Sequence, residues 1–309
     1  MKHLLVCLLF VQGFQQYCVG QTTRFDSIAK RQSSTKEELL IIKPNHFLIQ
    51  PNSNAGNIGV FNGKQRLILI DNQWSVLAPK VKQQLKKITP RKPSLIINTD
   101  FHYEHTNGNL AFGSEFIPIV AHENARIRME KDRLLSPPAS LIQKAYPSKG
   151  LPTITFIERM QLYDENETIE LTHVKKAHTD GDVIIQFKNG NVFYTGDLFV
   201  RNRLPYIDEN NGGDIYGVIQ AINYLINVAN EESKIVPGHG DVCGLKELRE
   251  YRDMLTAIRN KTIVLAREKK TEEEIFTSIS ELIKMQDSNE NKKIFILHTL
   301  HMVQKHEKI

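Results

Sequence analysis

Asp100, His102, Glu104 and His105 fall within six consecutive residues, in the run Thr99-Asp100-Phe101-His102-Tyr103-Glu104-His105-Thr106-Asn107-Gly108-Asn109. Imidazole nitrogens and carboxylate oxygens are the side-chain atoms that hold divalent transition metals. Strand or helix periodicity alone would spread these four side chains, whereas a loop containing Gly108 can turn them toward one point. Three later segments repeat the signature: Ala177-His178-Thr179-Asp180-Gly181-Asp182, Thr195-Gly196-Asp197-Leu198-Phe199 and Val236-Pro237-Gly238-His239-Gly240. Each sets a His or an Asp near a Gly, where backbone can pass close to a bound group. Singly, each reads as a turn with a capping Asp or a hydrogen-bonded His. Together, four such segments point to one metal centre assembled from loops.

Such loops need strands to hold them. Short apolar runs bounded by turn residues predict strands over 46–50, 58–61, 66–70, 95–97, 153–157, 167–174, 183–187, 191–194 and 234–236, and helices over 78–88 and 216–230. Asn189-Gly190 marks a hairpin, Thr271 to Glu274 a capping box, and the pattern from Leu245 onward is helical. Two groups of strands, each followed by helices, predict an α/β fold with two sheets packed face to face and helices outside, a four-layer αβ/βα sandwich. The metal centre is expected at one edge, where loops of the two sheets meet, with loops 137–150 and 202–213 as pocket walls.

The order of these segments resembles the metallo-β-lactamase superfamily, whose pattern is His-x-His-x-Asp-His after a strand, then a distant His, a Gly-Asp and a Gly-His. The similarity runs from Asn57-Ile58-Gly59-Val60 to the helix over 249–255. It implies the metallo-β-lactamase fold, with His102 and His178 as ligands of a first metal, Glu104, His105 and His239 as ligands of a second, and Asp197 bridging both. The segments Ala-His-Thr-Asp-Gly-Asp and Thr-Gly-Asp-Leu-Phe are most similar to an exported bacterial branch of that family.

Two positions depart from the family pattern: Asp100 stands where the first His is expected, and Glu104 where the Asp is expected. An anionic oxygen in place of a neutral nitrogen shifts a site from zinc toward harder ions such as Mn or Fe. Glu for Asp moves the carboxylate outward by roughly 1.5 Å, one C–C bond. Three carboxylates, Asp100, Glu104 and Asp197, neutralise more of the metals' charge and make hydroxide scarcer at neutral pH.

The function implied by the resemblance is hydrolysis of a small-molecule ester, amide, lactone or β-lactam bond through a metal-bound hydroxide, with Glu104 and Asp197 as catalytic residues. The implied cofactor is one or two Zn2+ ions, with Mn or Fe as substitutes. The departures leave two alternatives open: a catalytically impaired relative that binds a ligand or partner, and a mononuclear iron enzyme.

Further residues have supporting readings. Asp71, at the end of the predicted strand 66–70, is placed to hydrogen-bond a ligating His from behind. Asp180 and Asp182 either help position substrate or His178, or only shape the turn; Tyr206 either lines the pocket or packs as a core aromatic. His46, His122, His173, His298, His301 and His306 match no segment of the pattern and read as structural or solvent-facing.

The chain's ends and bulk bear on where it works. Lys2 and His3 precede an apolar run from Leu4 to Phe14, and Val19-Gly20 precede Gln21, which reads as a secretory signal peptide over 1–20. The run is well short of the roughly 20 residues of a membrane span. The protein is therefore expected in the periplasm or outside the cell, with no stable membrane insertion after cleavage. Residues 21–39 are polar and read as a flexible segment, and 40–309 as one domain with a helical C-terminal extension. Cys7 and Cys18 lie in the leader, so Cys243 stands alone in the mature chain and no disulfide is expected within it. The 309 residues are 40% apolar and 24% charged, ordinary for a globular protein, and a net charge of +5 spread along the chain gives no reason to expect a nucleic-acid partner. A small-molecule substrate is the expected partner.

Overall fold

The computed structural model describes residues 27–137, 139, 141–285 and 287–309. Residues 1–20, read from the sequence as a signal peptide, lie outside them.

The first sheet has seven strands in the spatial order β1 (Glu37–Lys43), β2 (His46–Pro51), β3 (Ile58–Asn62), β4 (Leu67–Ile70), β5 (Leu95–Ile97), β6 (Ile119–His122) and β9 (Ile154–Phe156). The pairs from β1 to β4 are antiparallel, and those from β4 through β9 are parallel. Between β6 and β9, β7 (Arg133–Leu134) and β8 (Ile142–Gln143) form a small hairpin. The second sheet runs β10 (Arg159–Asp164), β11 (Glu167–Val174), β12 (Asp182–Phe187), β13 (Val192–Tyr194), β14 (Lys234–Val236), antiparallel except for the last pair.

The strand period of two sorts side chains into separate layers. In β4, Ile68 and Ile70 face the seam between the sheets, while Leu67 and Leu69 face outward toward α2 (Ala78–Ile88). In β12, Val183, Ile185 and Phe187 enter the same seam from the other side, and Ile184 faces away. That outer face is covered by α6 (Ile215–Val228), α7 (Leu245–Arg267), α8 (Glu272–Ser280) and α9 (Asn289–Glu307), through residues such as Val218, Leu248, Ile279 and Ile296. Sheets apolar on both faces need cover on both, which gives the four layers anticipated from the chain.

The N-terminal boundary requires a correction. Residues 27–32 form a helix, α1, and Glu37 already opens β1, so the segment read as flexible over 21–39 enters the fold before residue 40. Ile28 and Ala29 pack against the core beneath the first sheet, and Lys80 Nζ donates to the carbonyls of Ser33 and Thr35 at 2.7 and 2.6 Å. Apolar contacts two residues long are too short to register as a pattern.

Candidate metal centre

Every chemically suggestive segment arrives at the same edge of the sandwich. Asp71 follows β4, Asp100 follows β5, Asp197 follows β13 and His239 follows β14, while His178 precedes β12. The run after β5 folds into two single-turn helices, α3 (Tyr103–Thr106) and α4 (Asn109–Phe112), joined through Asn107 and Gly108. His102 is the extended residue before α3, and its amide donates to Asp100 Oδ1 at 2.8 Å. One helical turn sets Glu104 and His105 in a different direction from His102, which divides the donors into two groups.

Asp100, His102 and His178 form the first group, and Glu104, His105, Asp197 and His239 the second; within each, one donor atom per residue lies within 4.8 Å of the others. Asp197, implied by the resemblance to bridge both metals, is grouped here with the second set. Six of the seven residues are buried, and Glu104 is half-buried. Between the run that follows β5 and α9 lies a cleft of about 830 Å³ whose lining includes Glu104, Asp197 and His239, but none of the first group.

Hydrogen bonds from behind fix which imidazole nitrogen faces each cluster. His105 Nδ1 pairs with Asp71 Oδ2 at 3.0 Å, leaving Nε2 toward Asp197 Oδ1 at 3.2 Å. Asp71 is itself held: its carboxylate accepts from the Thr99 amide at 2.8 Å and the Thr99 hydroxyl at 2.7 Å. His178 Nδ1 donates to the Tyr206 carbonyl at 2.7 Å, and His102 Nε2 pairs with Asp208 Oδ2 at 3.0 Å. The two remaining nitrogens, His102 Nδ1 and His178 Nε2, face each other at 2.8 Å. Two lone pairs at that separation repel, so the contact requires a shared proton.

The donor sets fit a cation. Among the described residues, the buried Asp100 Oδ2, His105 Nε2, Asp197 Oδ1 and His239 Nε2 make no well-aligned hydrogen bond; His105 and His239 meet Asp197 Oδ1 only as ion-pair contacts at 3.2 and 3.4 Å. Buried polar atoms left unsatisfied cost free energy, and here three of them converge in the second group while Asp100 Oδ2 stands 3.4 Å from His178 Nε2 in the first. The protein's own charges have the same arrangement. Burial would raise the Asp197 pKa, but the His239 and His105 imidazoles outweigh it and hold the carboxyl well below its usual range. Burial would lower the His105 pKa, but Asp100, Asp197 and Asp71 hold it well above. Burial is likewise overcome at His178, which Asp100 and Asp197 raise to about 10, whereas at His239 burial wins and the pKa is lowered. Oppositely charged groups thus converge where the donors of a metal ion would stand.

Close backbone approach makes this packing possible. A Cβ on Gly238 would stand 2.0 Å from Asp197 Oδ1, and one on Gly196, whose φ is +52°, would stand 2.5 Å from Thr99 Oγ1. Glycine is the residue that fits both positions.

Among the other expectations, Asp71 stands behind His105 as anticipated, and Asp182 shapes a turn by accepting the Thr179 amide and hydroxyl. Asp180 pairs with Arg128 at 2.6 Å. Tyr206 lines the cleft and its hydroxyl donates to the Ser136 carbonyl at 2.9 Å. Asp208 was missed by the sequence reading. It orients His102 and is held in turn by the Ser136 amide at 3.0 Å and Asn211 Nδ2 at 2.7 Å. Its only local signal was an acid within the stretch Leu204-Pro205-Tyr206-Ile207-Asp208. Loops 137–150 and 202–213 do wall the cleft, but so do α1 and α9, which had not been expected there.

Two His/carboxylate clusters at the loop edge of a two-sheet sandwich define a class of metal-binding αβ/βα proteins. The chain belongs to the metallo-β-lactamase superfamily, whose profile matches residues 52–239. Over 192 residues it is 25% identical to a probable metallo-hydrolase of Methanocaldococcus jannaschii, covering 61% of this chain and 89% of the relative. Among solved structures, the fold is similar to the sec-alkylsulfatase Pisa1 of Pseudomonas sp. (TM-score 0.62, 13% identity, 87% of this chain), of which this chain spans 50%. It is also similar to the DIM-1 metallo-β-lactamase (TM-score 0.58, 15% identity, 72% of this chain and 99% of that one) and a metallo-β-lactamase from Pontibacter korlensis (TM-score 0.56, 18% identity, 72% and 99%).

Proposed function

We propose that the protein is a metal-dependent hydrolase of a small molecule carrying an ester, amide, lactone or β-lactam bond. The observation that carries this reading is the second donor group, in which the buried Nε2 atoms of His105 and His239 and Oδ1 of Asp197 make no well-aligned hydrogen bond among the described residues, and of which Glu104, Asp197 and His239 line the cleft. The curated relative named a probable metallo-hydrolase supports it. A divalent cation held by Glu104, His105, Asp197 and His239, and a second by Asp100, His102 and His178, would supply Lewis-acid polarisation of the electrophile and of water.

The chain's own residues do the rest. Asp71 keeps His105 Nδ1 protonated and its Nε2 free, and Asp208 and the Tyr206 carbonyl do the same for the inward nitrogens of His102 and His178. Asp197, depressed in pKa, stays ionised and holds the positive side of the cluster together. Glu104, the half-buried carboxylate of the set, lines the cleft and is the group placed to accept a proton from water. Asp100 gives the first group an oxygen donor beside its two imidazoles, and the second group sets two carboxylates beside two imidazoles, so both sets accept Mn or Fe as well as zinc.

The mature protein is proposed to act in the periplasm or outside the cell, a reading that rests on the charged and apolar pattern of residues 1–20. N-terminal sequencing of protein recovered from an extracellular or periplasmic fraction should begin near Gln21. The function is tested by elemental analysis of protein purified without chelator, with p-nitrophenyl acetate and nitrocefin turnover measured before and after chelation. One or two equivalents of metal and chelator-sensitive turnover are expected. No metal bound after incubation with zinc, manganese or iron would overturn the reading.

A further inference from the structure

The residues that could hold metal fall inside the family-matched span 52–239, but much of the wall facing them does not. α1 contributes Ile28 and Arg31 to the cleft, and α9 contributes Ile294, Phe295, His298 and Met302. Leu135 and Leu141, beside the β7–β8 hairpin, line the same cleft. Ile294 remains partly exposed in the protein alone, so its apolar surface is available to a bound molecule. Apolar side chains lining a cavity of about 830 Å³, within the size range of small-molecule sites, favour a ligand with a matching apolar body.

Charge adds a second requirement. Arg203 lines the same cleft, half-buried, near enough to His239 to lower its pKa, and it makes no ion pair or hydrogen bond among the described residues. The acids of the cleft are otherwise engaged or apart from it: Glu104 and Asp197 belong to the second donor group, and Asp287 accepts from the Ser288 amide and Asn291 Nδ2 at 2.8 Å. A guanidinium beside a site that would hold divalent cations is repelled by them. An anion in the cleft removes that cost, and the planar fork of Arg is suited to carboxylate, sulfonate or phosphate oxygens.

We propose that the cleft selects an amphiphilic anion, with its anionic group at Arg203 and its apolar body between α9 and Leu135/Leu141, so that the chain-terminal helices set specificity while the central loops supply the chemistry. The inference deepens the hydrolase reading and rests on it. Recognition itself can be measured without turnover, because Trp74, the single tryptophan, lines the cleft and its emission reports occupancy.

The probes are hexane-, octane- and decane-1-sulfonate, which contain no hydrolysable bond, with the corresponding alkyl methyl sulfones as neutral counterparts, titrated into the metal-loaded full chain. Affinity should rise by about fourfold per added methylene, corresponding to about 0.8 kcal/mol per buried CH₂. Sulfonates should bind at least tenfold more tightly than the sulfones. Arg203→Gln should erase the preference for charge and keep the dependence on chain length, whereas Ile294→Lys should flatten the chain-length dependence and keep the preference for charge. Equal binding of sulfonates and sulfones, a charge preference that survives Arg203→Gln, or affinity independent of chain length would overturn the proposal. Those outcomes alongside chelator-sensitive ester hydrolysis would overturn the specificity alone; the expected binding without any hydrolysis would leave the recognition standing and remove the enzymatic reading.

Discussion

The two ends of the seam between the sheets both bury histidine, with opposite consequences. At the end where β2 begins, His46 lies between the rings of Phe61 and Phe187, with centroids at 5.0 and 4.8 Å. Its Nδ1 has no hydrogen-bond partner among the described residues, and the nearby carboxylates of Asp164 and Glu167 are committed to backbone amides of Gln65, Arg66, Asn189 and Gly190. Burial, with Lys43 adding to it, lowers the His46 pKa to about 4, so the ring is neutral and acts as a core aromatic. At the other end, His102, His105 and His178 have carboxylates around them and their pKa values are raised, whereas at His239 burial outweighs Asp197 and the pKa is lowered. Burial opposes charge at both ends. The difference lies in whether a carboxylate is free to answer it, and that decides which end can concentrate positive charge, whether as protons or as metal.

The strongest way to break this contrast is to remove the carboxylate that the second group shares. Asp197→Ala leaves His105 and His239 without their common partner and should lower metal content and turnover by more than about a hundredfold, beyond the 10–100-fold typical of outer hydrogen-bonding partners. Elemental analysis with steady-state hydrolysis checks it; retained metal and turnover would show that Asp197 is not a ligand.

Next in size are the residues behind the imidazoles. Asp71→Asn and Asp208→Asn each keep the shape and remove the charge, and each should weaken metal binding by about 10–100-fold. Asp71 should cost more, because it also holds both the amide and the hydroxyl of Thr99 on the strand-end loop that carries Asp100. Competition against a chromophoric chelator separates the two. A larger loss from Asp208→Asn would mean that the first group dominates affinity. A smaller change is expected from Asp100→His, which replaces the oxygen donor of the first group by nitrogen and should shift its preference from manganese toward zinc by about tenfold.

These tests concern residues of unequal visibility in the sequence. The candidate donors were legible because they cluster in short Gly-containing segments next to bounded apolar runs, and Leu95 to Ile97, Glu167 to Val174 and Ala78 to Ile88 matched their elements end to end. β1 was not legible, because Glu37–Lys43 is an edge strand with no fully buried side chain; it is held by backbone pairing to β2, which leaves no apolar pattern. β10 is similar, an edge strand of alternating exposed and partly buried residues closing on Asp164. Asp208 was illegible for another reason: its importance lies in His102, 106 residues earlier, and no local spacing encodes that contact. The role of α9 in the cleft is likewise a product of how α7 turns the chain back, which periodicity does not reveal.

The quiet end of the seam supplies the smallest effect and the cleanest control. His46 has a folded-state pKa of about 4 against 6.5 in the unfolded chain, so above pH 6.5 both states are neutral and the residue contributes no pH dependence. As pH falls from 6.5 toward 4, the unfolded chain takes up the proton first and folding stability declines, by about 1 kcal/mol at pH 5.5. His46→Leu should remove that component of the acid slope, measured as the shift in urea midpoint between pH 7 and pH 5.5, while leaving metal content as in the unaltered protein. An unchanged slope would mean that His46 is protonated in the fold after all, and the contrast between the two ends would then rest on access to metal rather than on the state of the imidazole.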